Sequence, residues 1–152
     1  MATHVYSSHL VWHGSTGVGY RAYSRDHRAV TPPAADEIAL SADPHFRGNE
    51  QLMNPEQLVV LAASSCQLLS FLAVAARAGI DVLGYEDDAT GAMDEAGTPI
   101  RIGTIDLFPT VRVATGTDPD EVLALIEQAH HECYIANSLN SVVTVTATIH
   151  VE

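Results

Sequence analysis

The sequence predicts an α+β fold. Candidate strands come first, then one long apolar helix, more strands, a shorter helix and a final strand. This order is typical of the α+β class, in which helices pack on one side of antiparallel sheets. The length suits one hydrophobic core, so residues 1–152 are predicted to form a single domain.

Three strands are predicted before the long helix. Residues 3–13 alternate in polarity, and the glycines of 14–17 indicate a turn. Residues 18–25 are expected to return as the second strand of a hairpin. A short third strand is predicted at 36–41, followed by a loop over 45–53.

The central segment has the start and stop signals of a helix. Asn54 suits the N-cap, Pro55 the first helical position and Gln57 the third, as in a capping box. Gly79 suits the residue that follows the helix. No charge occurs from Gln57 to Ala76, and apolar residues lie on every side, so the helix must be covered all round. Its length would span a membrane, but the interrupting serines and glutamines favour a buried helix.

The second half of the chain alternates like strands around one more helix. Strands are predicted at 80–93, at 100–114 with a bulge at Gly103 and an edge or break at Pro109, and at 142–151. A helix begins after Asp118. It places four residues on a buried stripe, Val122, Ile126, Ala129 and Cys133. Residues 134–140 are predicted to be a turn.

Composition excludes several kinds of partner. Seven basic against 19 acidic residues give a net charge of −12, and nucleic acids and anionic membranes bind basic surfaces. The first residues show neither a charged nor an apolar region of a secretion signal, so a cytoplasmic location is expected. Two cysteines do not make a disulfide scaffold, and in a reducing compartment they are buried thiols or reactive ones.

Cys66 and Cys133 each have two interpretations. A free cysteine most often behaves as a small buried hydrophobic residue. Cys66 becomes a nucleophile only if a cation lowers the pKa of its thiol, because it lies too far into its helix for the helix dipole to help. Cys133 resolves an oxidised Cys66 only if the fold brings the two together. The run His130 to Cys133 cannot converge on one metal ion, since adjacent residues on a helix diverge by about 100°. A metal site that combines His130 or His131 with distant histidines stays open.

Two cysteine-containing motifs occur in a fixed order. Asn54-Pro55-Glu56-Gln57-Leu58 is followed by Ala63-Ser64-Ser65-Cys66, and a second motif runs from Ala129 to Leu139. Both resemble the signature of the OsmC/Ohr family, the osmotically induced and organic-hydroperoxide-resistance proteins. The ten-residue step from Glu56 to Cys66 and the Trp12-x-Gly14 strand also fit this family.

The resemblance implies an OsmC-like fold, in which a long central helix packs on antiparallel β-sheets of an intertwined homodimer. It also implies a cysteine-based peroxidase without metal or other cofactor. Cys66 would attack the O–O bond of an organic hydroperoxide, and Cys133 would close a disulfide on the resulting sulfenic acid. An external dithiol, lipoyl-type in some family members, would reduce that disulfide. Glu56 corresponds to the family carboxylate that holds an arginine against the thiolate.

The family arginine is missing from its usual position, which falls near Val18. Arg21, Arg25 and Arg28 follow closely, and the stretch from Tyr23 to His27 resembles a motif of one OsmC-like branch. Among these three, Arg25 is predicted to activate Cys66.

Helix geometry gives a separate argument for a dimer. On one straight helix, ten residues place Glu56 and Cys66 about 15 Å apart along the axis, too far for one site. Either the helix breaks or Glu56 meets Cys66 of a second chain, and the all-round apolar helix favours the second chain.

An apolar substrate pocket is predicted from Phe46, Met53, Leu69 and Phe71. Two other functions remain open from the sequence. One is a small-molecule or lipid-binding dimer with inert thiols, and the other is a thiol-dependent hydrolase.

Overall fold

The computed structural model describes the whole chain, residues 1–152, as two compact units. Unit 1 is Met1–Leu58 and unit 2 is Val59–Glu152. The long helix, α1 (Pro55–Arg77), begins in unit 1 and continues through unit 2. The prediction of a single domain stays a prediction.

Unit 1 is built on a three-stranded antiparallel sheet. Its strands are β1 (His9–Val11), β2 (His27–Val30) and β3 (Glu37–Leu40), in that spatial order. Short 3₁₀ helices span Thr16–Val18 and Pro44–Phe46. The predicted third strand is confirmed, whereas the first strand is much shorter than predicted.

The strand predicted over residues 18–25 is wrong. Gly19 has a φ of +95°, a conformation that favours glycine, and turns follow it. Side chains occupy the carbonyls that a strand would offer to its neighbour: Trp12 donates to Ser24 at 2.8 Å, and Arg25 donates to Tyr20 and Tyr23. The segment is therefore a loop closed by its own side chains.

The predicted ends of α1 are confirmed. Asn54 Oδ1 accepts from the Gln57 amide at 2.8 Å, and the Gln57 side chain accepts from the Asn54 amide at 3.0 Å. This reciprocal capping box satisfies two of the donors that a helix start leaves free. At the other end, Gly79 has a φ of +75°, which allows the chain to leave the helix.

Two opposite stripes divide α1. The buried stripe consists of Ala63, Gln67, Phe71, Val74 and Ala75. The exposed stripe carries Leu61, Leu69 and Leu72, with 54%, 63% and 39% of their surface accessible. Residues two apart on a helix point about 200° apart, so the stripes face opposite directions. One face of α1 is packed within the chain and the other is not.

By length and composition, α1 is also apolar enough to cross a membrane, with a mean hydropathy of 2.1 over its most apolar window. Within the chain, 28% of that window is buried. One such helix is weak evidence for a membrane span, because core helices of soluble proteins have the same composition.

Unit 2 contains two three-stranded sheets. The strands are β4 (Val82–Asp87), β5 (Thr90–Met93), β6 (Ile102–Leu107), β7 (Pro109–Val113), β8 (Val142–Val145) and β9 (Thr148–Val151). One sheet has the order β4-β7-β9 and the other β5-β6-β8. The pairs β6·β8 and β7·β9 are parallel, and the pairs β4·β7 and β5·β6 are antiparallel.

Each of the three long strands predicted in this half is in fact two strands, and the halves join different sheets. Between β6 and β7, the Phe108 amide donates to the Asp87 carboxylate at 2.7 Å, and Pro109 has no amide hydrogen to offer. The predicted break at Pro109 is therefore confirmed. The bulge at Gly103 is confirmed too, since Ala92 pairs with Thr104 and Met93 with Ile102.

The helix predicted after Asp118 is α2 (Pro119–Glu132), and its buried stripe is confirmed. A short helix, α3 (Tyr134–Ser138), replaces the turn predicted over 134–140. The main core cluster joins α1, β7 and α2 through Phe71, Val111, Val122 and other buried residues. It holds the two cysteine-bearing helices in one unit.

Candidate active site

Cys66 and Cys133 meet inside unit 2. Cys66 lies half-buried in the middle of α1, and Cys133 is the residue between α2 and α3, only 1% exposed. Both are free thiols, and Cys66 lies close enough to Cys133 to raise the pKa of the Cys133 thiol. Sequence spacing alone could not show whether the two cysteines are close in space, and the fold brings them together.

The surroundings hold Cys133 as a thiol. Burial raises the pKa of the Cys133 thiol from 9.0 to about 11. The Ala136 amide, 3.5 Å from its Sγ atom, lowers the pKa, and the neighbouring Cys66 thiol raises it. Below about pH 11 Cys133 therefore remains a protonated thiol, and it must lose its proton when it attacks as a resolving cysteine.

Two hydrogen bonds connect α1 to its neighbours beside the cysteines. Gln67, fully buried next to Cys66, donates from Nε2 to the Ile126 carbonyl of α2 at 3.1 Å. On the other side of Cys66, the Ser64 hydroxyl donates to the Asp87 carboxylate at the end of β4. These bonds prevent α1 from rotating or sliding, so they fix where the Cys66 side chain points.

A separate cleft of about 320 Å³ lies within unit 1. It combines aromatic walls with charged side chains of both signs. Its lining includes Trp12, Tyr23, Arg25, His27, Asp43, Phe46 and Glu56. The predicted site residues Arg25, Glu56 and Phe46 thus line one cavity.

Arg25 is held rigidly in this cleft. Its guanidinium donates to the carbonyls of Tyr20 and Tyr23, both at 2.6 Å. It also stacks on the Tyr23 ring, 3.9 Å from the centroid, and lies 5.0 Å from the centroid of Tyr20. A guanidinium has five N–H donors, so these two bonds leave others for a carboxylate or a thiolate. Val18, at the expected position of the family arginine, is an exposed residue of the first 3₁₀ helix.

The start of α1 also lines the cleft, through Pro55 and Glu56. Glu56 lies in the first turn, where the helix dipole favours an anion. Asp43 caps the second 3₁₀ helix through the His45 amide at 2.7 Å and accepts from the Asn54 side chain at 3.4 Å. Gly48 approaches the Ala42 backbone so closely that any side chain there would clash.

The four predicted pocket residues lie in different surroundings within their own units. Phe46 lines the cleft of unit 1, and half-buried Met53 pairs with Leu40 through an isolated bridge. Leu69 lies on the exposed stripe of α1, whereas Phe71 is fully buried in the core on the opposite side. Phe71 is therefore placed as a packing residue and Leu69 as a surface residue.

Sequence reasoning missed several residues at both places. His27 lines the cleft, and its Nδ1 lies 2.7 Å from the Arg25 carbonyl. In unit 2, Asp87 and Tyr85 were not singled out. No group of three His, Cys, Asp or Glu side chains is arranged to hold a metal ion, and His131 instead pairs with Glu127 at 3.2 Å.

A family model described as OsmC-like protein matches residues 48–148, two thirds of the sequence. The chain belongs to the OsmC/Ohr family. The matched segment contains Glu56, Cys66 and Cys133 but begins after Arg25, so the cation lies in a part of the chain that the match does not cover. No curated protein matches the sequence.

Solved structures of OsmC-like proteins share the fold across nearly the whole chain. An OsmC-like protein of unknown function from Vibrio cholerae is 26% identical, with a TM-score of 0.87, over 96% of this chain and all of that one. An organic hydroperoxide resistance protein from Elizabethkingia anophelis is 18% identical, with a TM-score of 0.73 and 99% of both chains covered. One from Legionella pneumophila is 19% identical, with a TM-score of 0.66 and 98% of both covered.

The raised pKa of Cys133 predicts slow alkylation in this OsmC-like protein. At pH 8, iodoacetamide should modify Cys133 about a hundredfold more slowly in the native chain than in urea, because far less of the thiol is ionised. The rate should rise as the pH approaches 11. Because the folded pKa exceeds the unfolded one, Cys133 also lowers the free energy of unfolding as the pH rises from about 9 to 11. Equal alkylation rates in the native and unfolded chains at pH 8 would contradict this.

Proposed function

We propose that this protein is a thiol-dependent peroxidase that reduces organic hydroperoxides to alcohols. The observation that carries the proposal is the pair of neighbouring free thiols, Cys66 and Cys133, inside unit 2. Half-buried Cys66 is the more accessible sulfur and acts first, and buried Cys133 acts second. Solved relatives described as organic hydroperoxide resistance proteins share the fold.

The chemistry proceeds in two balanced steps. The Cys66 sulfur attacks the terminal oxygen of the hydroperoxide, an S–O bond forms and the O–O bond breaks, and the alkoxide takes up a proton to leave as the alcohol. Cys133 then attacks the sulfenic acid, the S–S bond forms, and hydroxide leaves with the Cys133 proton as water. An external dithiol of the lipoyl type reduces this disulfide and is itself oxidised to a disulfide. In a reducing cytoplasm such a dithiol is regenerated.

Activation of Cys66 requires a cation, and Arg25 is the cation that we propose. The Arg25 guanidinium is fixed by two carbonyls and two aromatic rings, so it loses little freedom when it binds an anion. Glu56 lines the same cleft and supplies the carboxylate that orients it. We propose that this cleft of one copy meets Cys66 of a second copy in a homodimer.

The exposed stripe of α1 supports the proposed homodimer. Leu61, Leu69 and Leu72 leave an apolar band on a helix whose other face is packed in the core. Burying leucines of this kind yields roughly 2 kcal/mol each. The helix is also unbroken from Pro55 to Arg77, which removes the alternative that a break brings Glu56 and Cys66 of one chain together.

Hydroperoxide consumption tests the function. With cumene hydroperoxide and dihydrolipoamide, the wild-type protein should turn over, and Cys66→Ser should lose activity by at least about a thousandfold because the only thiol left, Cys133, is buried. Cys133→Ser should still consume one equivalent of hydroperoxide per chain and then stop. Consumption by Cys66→Ser at the wild-type rate would overturn the proposal.

A pair of arginine variants tests the activating cation within the same assay. Arg25→Gln should slow the oxidation of Cys66 by about tenfold to a hundredfold, since the thiolate loses its counter-charge. The matched control is Arg28→Gln, which removes an arginine three residues away that is paired with Glu37 on the surface. Equal rates in the two variants would eliminate Arg25 as the activating group.

If α1 forms the dimer interface, a charged residue introduced on its exposed stripe should weaken dimerisation. Sedimentation should show a dimer at micromolar concentration. Leu61→Glu, on the exposed stripe, should raise the dissociation constant by at least about a hundredfold, because the symmetric interface buries two new charges. Leu123→Glu is the control, since Leu123 is 42% exposed on α2, away from that stripe. A folded wild-type monomer at micromolar concentration would refute the arrangement.

A further inference from the structure

Trp12 contacts the segment that holds Arg25. This segment, the arginine loop (residues 19–25), contains no strand and ends at Arg25, two residues before β2 begins. Its backbone bonding is local, since the Tyr23 amide donates to the Gly19 carbonyl at 3.4 Å. Local bonds of this kind set the shape of the loop, but they do not set its position relative to the sheet of unit 1. That position needs a contact from outside the loop.

The indole of Trp12 supplies such a contact. Trp12 follows β1 directly, so its backbone is tied to the sheet. Its Nε1 donates to the Ser24 carbonyl at 2.8 Å, and its ring meets the Tyr23 ring edge-on, with the centroids 6.2 Å apart. Ser24 and Tyr23 are the two residues that precede Arg25 in the chain. The arginine loop is therefore held to the sheet immediately before its functional residue.

Tyr23 carries this restraint to the guanidinium. Its carbonyl accepts from Arg25 at 2.6 Å, and its ring lies 3.9 Å from the Arg25 Cζ atom. Tyr23 thus contacts Trp12 through an aromatic pair and Arg25 through a cation–π contact and a hydrogen bond. Each step from the indole to the guanidinium is a direct contact within unit 1. A displacement of the Tyr23 ring would displace the guanidinium with it.

We propose that Trp12 is a positioning residue for the activating arginine. This inference rests on the proposed role of Arg25 at Cys66 in the peroxidase. The stabilisation of a thiolate by a cation falls as the distance between them grows, and a charge that is already fixed in place costs no reorganisation during the reaction. Trp12 does not need to touch the reacting atoms. It acts by holding the arginine loop, and so the guanidinium, in one place.

Two competing roles for Trp12 make different predictions. Trp12 also lines the cleft of unit 1, so its ring is available to the organic group of a hydroperoxide. A contact of that kind would act independently of Arg25. A purely structural contact would lower the melting temperature and leave the pH dependence of Cys66 oxidation unchanged.

A double-mutant cycle separates these roles. The rate of Cys66 oxidation by cumene hydroperoxide is measured by chemical quench and mass spectrometry in four chains: wild type, Trp12→Phe, Arg25→Gln and the double variant. Trp12→Phe keeps an aromatic ring beside Tyr23 but removes the N–H donor. It should slow the oxidation about tenfold in the wild-type chain and by less than about twofold in Arg25→Gln. A tenfold loss corresponds to about 1.4 kcal/mol, a size that one hydrogen bond can supply.

The pH profile adds a readout that a loss of stability does not move. Trp12→Phe should raise the pH at which the oxidation rate is half-maximal by about one unit, because a mobile cation favours the Cys66 thiolate less. Trp12 is the only tryptophan, so incorporation of 3-benzothienylalanine exchanges this one N–H for sulfur in a ring of nearly the same shape. The benzothienyl chain retains the packing of the ring and should show the same loss of rate.

Tyr6→Phe serves as the control, since it removes a donor from an aromatic residue that is 90% exposed. An equal loss from Trp12→Phe in both backgrounds, an unchanged pH profile, or a benzothienyl chain that reacts at the wild-type rate or does not fold would overturn this inference and leave the peroxidase standing. A wild-type rate in Arg25→Gln would overturn the role of Arg25, and this inference with it. A wild-type protein whose Cys66 is not oxidised would overturn the proposed function itself.

Discussion

The structure depends on one constraint, the burial of a helix that has no charged side chain over twenty residues. One stripe of α1 satisfies this constraint within the chain by packing on the core shared with β7 and α2. At the centre of that stripe, the fully buried Gln67 reaches the Ile126 carbonyl, and this bond fixes the rotation of α1 relative to α2. Cys66 precedes Gln67 directly, and Cys133 ends α2 seven residues after Ile126. The contact that buries the helix therefore also brings the two thiols together, so packing and the proposed redox chemistry rest on the same interaction.

The two units hold different parts of the chemistry. Unit 2 holds both sulfurs in a largely apolar interior, where burial keeps Cys133 protonated. Unit 1 holds a cleft in which Arg25 is clamped by tyrosines and shares the lining with Glu56 and Asp43. A thiolate nucleophile needs both an accessible sulfur and a nearby cation. The proposed dimer supplies each from a different copy, and the same association covers the apolar stripe that the single chain leaves exposed. The match over residues 48–148 shows the family to which the chain belongs, and Arg25, the proposed activating arginine, lies outside the matched segment.

Signals from neighbouring residues in the sequence predicted the helices well. The strand boundaries were predicted less well, because they depend on contacts between distant parts of the chain. The capping box at Asn54 and the stop at Gly79 depend on neighbours in sequence, so they were predicted correctly. Strand lengths depend on partners far along the chain. The break at Phe108 was therefore only suspected, from Pro109, and the break near Thr146 was missed. A register shift between Val82 and Gly84 changes which residues of β4 face inward, and it hides Tyr85 and Asp87 from any simple alternation. The residues 18–25 alternate like a strand, but aromatic and arginine side chains take up the backbone carbonyls. The proximity of Cys66 and Cys133 was implied by family resemblance alone, since spacing along the chain carries no information about it.

The central claim is that Cys66 and Cys133 of one chain form a working redox pair. The most direct measurement treats the protein with one equivalent of an organic hydroperoxide, digests it without reductant and identifies the linked peptides by mass spectrometry. The account predicts one disulfide, Cys66–Cys133 within a single chain, with a mass loss of about 2 Da and no other modified residue. A Cys66 that stays reduced, that links to a second chain, or that passes directly to sulfinic acid while Cys133 remains a thiol would contradict the account.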